Sequence, residues 1–167
     1  ILVWSTHYNG TGNSYDYASA LAVNDNGDVY VTGQSVGVGT SYDYVTIKYD
    51  SSGNQKWVVR YSGTVNLDDY PHAIILDKDG NVYVTGESYT LNTENDFTTI
   101  KYNADGVQQW IAQYDGPANF FEIGVAIAID IFKNVYVTGL SSGISTSLDF
   151  ATAKYDSNGV QQWVSRY

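Results

Sequence analysis

Gly80-Asn81-Val82-Tyr83-Val84-Thr85-Gly86-Glu87-Ser88 is a short β-branched and aromatic run held between glycines. Its centre, Tyr83-Val84-Thr85-Gly86, occurs again as Tyr30-Val31-Thr32-Gly33 and as Tyr136-Val137-Thr138-Gly139, 53 residues away on either side. Trp4, Trp57, Trp110 and Trp163 keep the same step, and so do Tyr8, Tyr61, Tyr114 and Tyr167. A fixed period with no insertion or deletion indicates stacked supersecondary units.

Each repeat carries four such runs separated by turn chemistry. The first is residues 20–23, matched by 73–76 and 126–129; the second is 29–32 and its copies. The third is 44–49, matched by 97–102 and 150–155, and the fourth is 57–61, 110–114 and 163–167. Asp25-Asn26-Gly27-Asp28 and Lys78-Asp79-Gly80-Asn81 supply the positive φ that tight hairpins require. The third copy, Ile131-Phe132-Lys133-Asn134, lacks the glycine, so Asn or Lys is expected in the left-handed region. No long stretch shows a 3.6-residue period, which predicts an all-β chain.

The first run is apolar on both faces rather than alternating, as expected of a strand inside a stack of sheets. Four short antiparallel strands per repeat, stacked around an axis, describe a β-propeller blade. The organisation expected is a spare fourth-type strand at 1–8, completing a neighbouring blade, then blades at 9–61, 62–114 and 115–167. Propellers close with about four to eight blades. Three blades leave open flanks, so the ring is expected to be completed by further blades or by another chain, two chains giving six blades. With no Met, even at position 1, the chain is expected to be a processed form, a fragment or part of something longer.

Residues 80–88, 96–103 and 106–114 carry the fullest copy of three linked motifs: Gly-Asn-Val-Tyr-Val-Thr-Gly-x-Ser, Asp-Phe-x-Thr-x-Lys-Tyr-Asn and Gly-x-x-x-Trp-x-x-x-Tyr. The pattern resembles the SBBP family of bacterial β-propeller repeats over essentially the whole chain. Departures are Asp28 for the turn Asn, Lys133 for its Gly and Ala153 for the Ile of the third strand. The resemblance implies a propeller fold in secreted or cell-surface proteins, and it implies no single activity and no catalytic residues.

Eighteen acidic against eight basic residues leave a net charge of −10, which disfavours nucleic acid and anionic membranes as partners. No apolar run reaches the length of a membrane span. The absence of Cys removes disulfides and thiolate metal sites.

The turns joining strands one to two and three to four fall on one face and repeat closely. The longer, variable connections fall on the other, where ligands are expected. That face holds two acids per blade: Asp16 and Asp43, Asp69 and Asp96, Glu122 and Asp149. These carboxylates suit Ca²⁺, but their repetition favours local capping of strand starts. Asp77-Lys78-Asp79-Gly80-Asn81 imitates a calcium loop, although a hairpin explains it and no cofactor is required. Tyr15, Tyr42, Tyr89, Phe120 and Phe121 are the candidate ligand-stacking residues, or else they pack over their own blade rims. Lys48, Lys101 and Lys154 recur in the third strand, read as solvated or as partners for turn acids such as Asp77 or Asp130. His7 and His72 do not repeat, and no nucleophile-base-acid set surrounds either. Asn9-Gly10-Thr11 fits a glycosylation sequon.

The sequence therefore reads as a non-enzymatic, secreted or cell-surface module that self-associates and scaffolds, or binds protein or carbohydrate. A structural subunit building a ring or filament is the first alternative. A lyase or hydrolase working from the variable face is the second.

Overall fold

The computed structural model describes residues 3–167. Twelve strands follow in order: β1 (Asp16–Val23), β2 (Val29–Val36), β3 (Tyr42–Tyr49), β4 (Gln55–Tyr61), β5 (Asp69–Leu76), β6 (Val82–Thr90), β7 (Glu94–Tyr102), β8 (Gln108–Tyr114), β9 (Glu122–Ile129), β10 (Val135–Ser142), β11 (Leu148–Tyr155) and β12 (Gln161–Arg166). Each consecutive four form one antiparallel sheet, β1-β2-β3-β4, β5-β6-β7-β8 and β9-β10-β11-β12, with no helix among the described residues. The three sheets are blades 1, 2 and 3 of a propeller-like stack. First strands lie side by side, β1 against β5 and β5 against β9, so the first strand of each blade is the innermost.

The Tyr-Val-Thr-Gly runs explain the register. Thr32, Thr85 and Thr138 on the second strands face Thr46, Thr99 and Thr152 on the third, Oγ1 to Oγ1 at 3.1, 3.0 and 3.0 Å. The glycine is required because the first strand bulges at Ser19, His72 or Val125. A Cβ on Gly86 would sit 2.0 Å from the Tyr70 carbonyl oxygen, and Gly33 and Gly139 are equally confined. In the hairpins, Asp77 Oδ1 accepts from the amides of Asp79 and Asn81, both at 2.9 Å, and Asp130 holds Phe132 and Asn134 in the same way. Lys133 takes the left-handed conformation at φ 64°, where Gly27 and Gly80 stand in the other blades.

Two sequence expectations need correction. The strands dry on both faces are the second and third of blades 1 and 2, most fully β6 and β7, while the first strand of each blade is only partly buried. It borders the sheet and lines an axis that three blades do not enclose. The turn-acid pairing read for the strand lysines holds only in blade 1, with Asp28; Asp77 and Asp130 accept from the hydroxyls of Tyr83 and Tyr136 at 3.0 Å. The lysines instead lie over aromatic rings, Lys48, Lys101 and Lys154 at 5.1, 5.2 and 5.3 Å from the centres of Tyr30, Tyr83 and Tyr136. Lys48 also pairs with Asp28 at 3.2 Å.

Blades join through a repeated contact. Tyr30, Tyr44, Trp57 and Tyr61 of blade 1 pack on Val82, Val84, Ile100 and Tyr102 of blade 2. Tyr83, Phe97, Trp110 and Tyr114 of blade 2 pack in the same way on Val135, Val137, Ala153 and Tyr155 of blade 3. Trp57 Nε1 donates to Ala104 O at 3.0 Å and Trp110 Nε1 to Ser157 O at 3.1 Å. Each indole lies against the turn glycine of the next blade, Gly106 or Gly159.

The two ends differ from the middle. On blade 3, Phe150 is 66% exposed, whereas its counterparts Tyr44 and Phe97 are 1% and 0% exposed. On the opposite end, Val45, Ile47 and Tyr49 of blade 1 are covered by the N-terminal segment through Tyr8. Over its described part, residues 3–8, that segment has no strand hydrogen bonding, because no neighbouring sheet is there to pair with it; Ile1 and Leu2 lie outside the described residues.

Candidate functional site

The longer connections gather on one face, and the ends of all four strands of each blade meet there. In blade 1, Gly10 N donates to Asp16 Oδ2 at 3.0 Å, pinning the loop that leads into β1. In blade 2, Gly63 N donates to Asp69 Oδ2 at 2.7 Å in the same role. In blade 3 the longer Glu122 accepts from Ser141 Oγ and Ser142 N, each at 3.1 Å. Asp43, Asp96 and Asp149 begin the third strands and accept from Thr40, Thr93 and Thr146 at 2.8, 3.0 and 2.8 Å.

The fourth strand decides how these acids are neutralised. Arg60 Nη1 donates to Asp43 Oδ2 at 2.7 Å and to Ser35 O at 2.7 Å, and its Nη2 donates to Ser35 Oγ at 2.6 Å. Arg166 Nη2 donates to Asp149 Oδ2 at 3.0 Å and to Ser142 O at 2.9 Å. Blade 2 carries Gln113 at this position, and its Nε2 turns to Thr98 Oγ1 at 3.3 Å. Asp96 therefore has no arginine. Burial pushes Asp96 up to about 6, reinforced by the charges of Asp115 and Glu122. Burial likewise pushes Asp69 up to about 6 and raises Glu122 and Asp115. The arginines and Asp115 escaped the sequence reading, although Arg60, Gln113 and Arg166 stand one period apart.

The candidate aromatics are brought together only in part. Tyr15 stacks on Tyr17, with centroids 6.2 Å apart and planes at 15°; Tyr17 meets Tyr42 at 6.1 Å, and Tyr42 meets Tyr70 at 5.8 Å. Tyr17 and Tyr70, which sequence reasoning missed, thus join Tyr15 and Tyr42 into a four-ring strip from blade 1 to blade 2. Phe120 and Phe121 pair at 5.6 Å on the loop before β9. Tyr89 belongs to neither group. Such rings offer flat apolar faces with polar tips for sugars or peptide side chains.

The remaining candidates sit apart. His72 Nε2 lies 3.3 Å from Glu87 Oε1 on the axial side of blade 2, where blade 1 has Ser19 and Gln34. His7 and Asn9 are exposed on the N-terminal segment.

Residues 57–90 match the SBBP family, described as a beta-propeller repeat. Those residues are an SBBP repeat. The matched SBBP unit runs from Trp57 on β4 to Thr90 at the end of β6, joining the outer strand of one blade to the first two strands of the next. A crystal structure of the eukaryotic initiation factor superimposes on this chain with a TM-score of 0.54 at 8% identity, covering 91% of this chain and 32% of that one. The chain thus spans about a third of that structure's length, and the likeness is one of fold. No curated protein matches.

Proposed function

We propose that this SBBP-repeat chain is a non-enzymatic, extracellular module that scaffolds or binds protein or carbohydrate, and that it closes its ring by self-association. The observation that carries the reading is the seating of Trp4. A Cβ on Gly53 would meet the Trp4 ring at 2.8 Å, as one on Gly106 would meet Trp57 at 2.9 Å and one on Gly159 would meet Trp110 at 2.6 Å. The blade 1 flank is therefore shaped to receive the aromatic strand of a preceding blade. Blade 3 of a second copy offers such a strand in Trp163 and Tyr167, together with the exposed Phe150, and it takes the Gly53 seat by displacing Trp4. A second copy supplies that surface, because the same contact already joins blades 1 to 2 and 2 to 3. Beside Trp4 and Tyr8, a groove of about 370 Å³ lined by Leu21, Val31, Val45 and Ile47 leaves room for the incoming side chains.

The repeat family and the fold support a structural or binding role, and the tyrosine strip gives the binding face its chemistry. Light scattering coupled to size exclusion tests the assembly. Two chains per particle are expected, and a monomer at high concentration overturns it.

A further inference from the structure

At the junction of blades 2 and 3, carboxylate oxygens of Asp96, Asp115 and Glu122 lie within 4.8 Å of one another. Asp96 is 6% exposed and Glu122 is fully buried. Thr93 occupies Oδ2 of Asp96, and Ser141 with Ser142 occupies Oε1 of Glu122. The other oxygens, Asp96 Oδ1 and Glu122 Oε2, are buried with no hydrogen-bond partner. Buried anionic oxygens left unpaired are costly, and a bound cation, an ordered water or a proton relieves the cost.

The sibling junction shows what is missing. Between blades 1 and 2 the corresponding acids are Asp43 and Asp69, and Arg60 closes on Asp43. One period later the arginine has become Gln113, and Ser62 has become Asp115. The first junction holds two acids and one arginine, a net single negative charge. The second holds three acids, and no lysine, arginine or histidine pairs with them among the described residues. A divalent ion would restore the second junction to the charge of the first.

We propose that Asp96, Asp115 and Glu122 bind Ca²⁺, the ion standing where Arg60 and Arg166 stand in the neighbouring blades. Calcium takes oxygen ligands at about 2.3–2.6 Å, so two ligands on opposite sides of the ion lie about 5 Å apart, which the cluster spans with little movement. Magnesium, at about 2.0–2.1 Å, needs a tighter set. Exposed Asp115 leaves an entry path and room for water in the remaining coordination positions.

The test is calorimetric titration of CaCl₂ into the chelator-stripped full chain, paired with thermal melting. One Ca²⁺ per chain and a calcium-dependent rise in Tm are expected, with Mg²⁺ at least tenfold weaker. Gln113→Arg should abolish calcium binding and raise the calcium-free Tm. Asp115→Ser alters an exposed residue and should weaken binding at least tenfold without loss of fold. The proposal is overturned by the absence of heat and Tm shift at millimolar calcium. It is equally overturned by equal response to Mg²⁺, by three ions per chain, or by Asp115→Ser binding as tightly as the parent. Monomeric protein that still binds one Ca²⁺ would sink the assembly and leave this site standing.

Discussion

Trp4 lies on Gly53 in the seat that Trp57 occupies on Gly106, although residues 3–8 are in no sheet. The side chains of the outer strand alone are enough to dock it on the next blade. Two features make the seat: a glycine at positive φ, and a flat ring where a Cβ would be. Gly53, Gly106 and Gly159 have φ of 85, 81 and 82°.

Gly106→Ala should therefore destabilise the fold twice over, through backbone strain and by driving a methyl into the Trp57 ring. The expected loss is about 2–4 kcal/mol in denaturant midpoint measurements, from left-handed strain plus overpacking. Gly39→Ala is the control: its φ is 79°, but nothing lies within 4 Å of the added Cβ. It should lose only about 1–2 kcal/mol. Equal losses would show that the indole contact contributes nothing.

Phe97 and Phe150 are the same residue one period apart, the first buried and the second exposed. Phe97→Asp places a charge inside the blade 2–3 core and should cost about 4 kcal/mol or more, abolishing cooperative unfolding. Phe150→Asp should leave the melting curve of dilute protein nearly unchanged while halving the particle mass in light scattering. A Phe150→Asp variant that still forms pairs of chains would remove blade 3 from the interface.

Asp69 gives a pH signature. Burial raises its folded-state value from 3.8 to about 6, so the folded chain holds this proton more tightly than the unfolded chain. The contribution to stability is greatest below about pH 4 and falls as pH rises through 6. Asp50, Asp77 and Asp130 are shifted down by hydrogen bonds or ion pairing, so their contributions are lost only as pH falls below the usual carboxylate range. Asp69→Asn should gain on the wild type by about 1–3 kcal/mol between pH 4 and 7, whatever constant offset the lost acceptor introduces. Urea unfolding at several pH values reads this directly, and a gap that does not change with pH contradicts it.

The sequence announces whatever is shared by all copies and hides whatever depends on the space between them. Tyr83-Val84-Thr85-Gly86 reveals a strand because local chemistry imposes it, whereas the bulge that its glycine accommodates is visible only once the first strand is paired with it. A left-handed Asn or Lys in the third hairpin was expected for the same reason, and Lys133 is the one that takes it. The wet side of β1 was not foreseen, since its exposure reflects how many neighbours surround the axis rather than its own composition. Asp115 is not among the acids that the repeat singles out. Its meaning comes only with Gln113, through a comparison of junctions that the period permits but does not prompt. Tyr17 and Tyr70 were overlooked because each lies inside a strand, and only the approach of β1 to β5 brings them into one strip.

The junctions should be interchangeable. Arg60→Gln leaves Asp43, whose side chain is wholly buried, facing Asp69 without its arginine. The expected loss is about 3–5 kcal/mol, the range for removing one partner of a buried ion pair. Adding Ser62→Asp copies the blade 2–3 set of residue types into the blade 1–2 junction, with Asp69 in place of the longer Glu122. In calcium-free buffer the double variant should be at least as unstable as Arg60→Gln. With calcium it should recover most of the loss, because a ligand that binds only the folded form stabilises it. Titration should then count two ions per chain instead of one. Recovery by the Arg60→Gln single variant would mean that two acids suffice, and Asp115 would lose its assigned part in the native site.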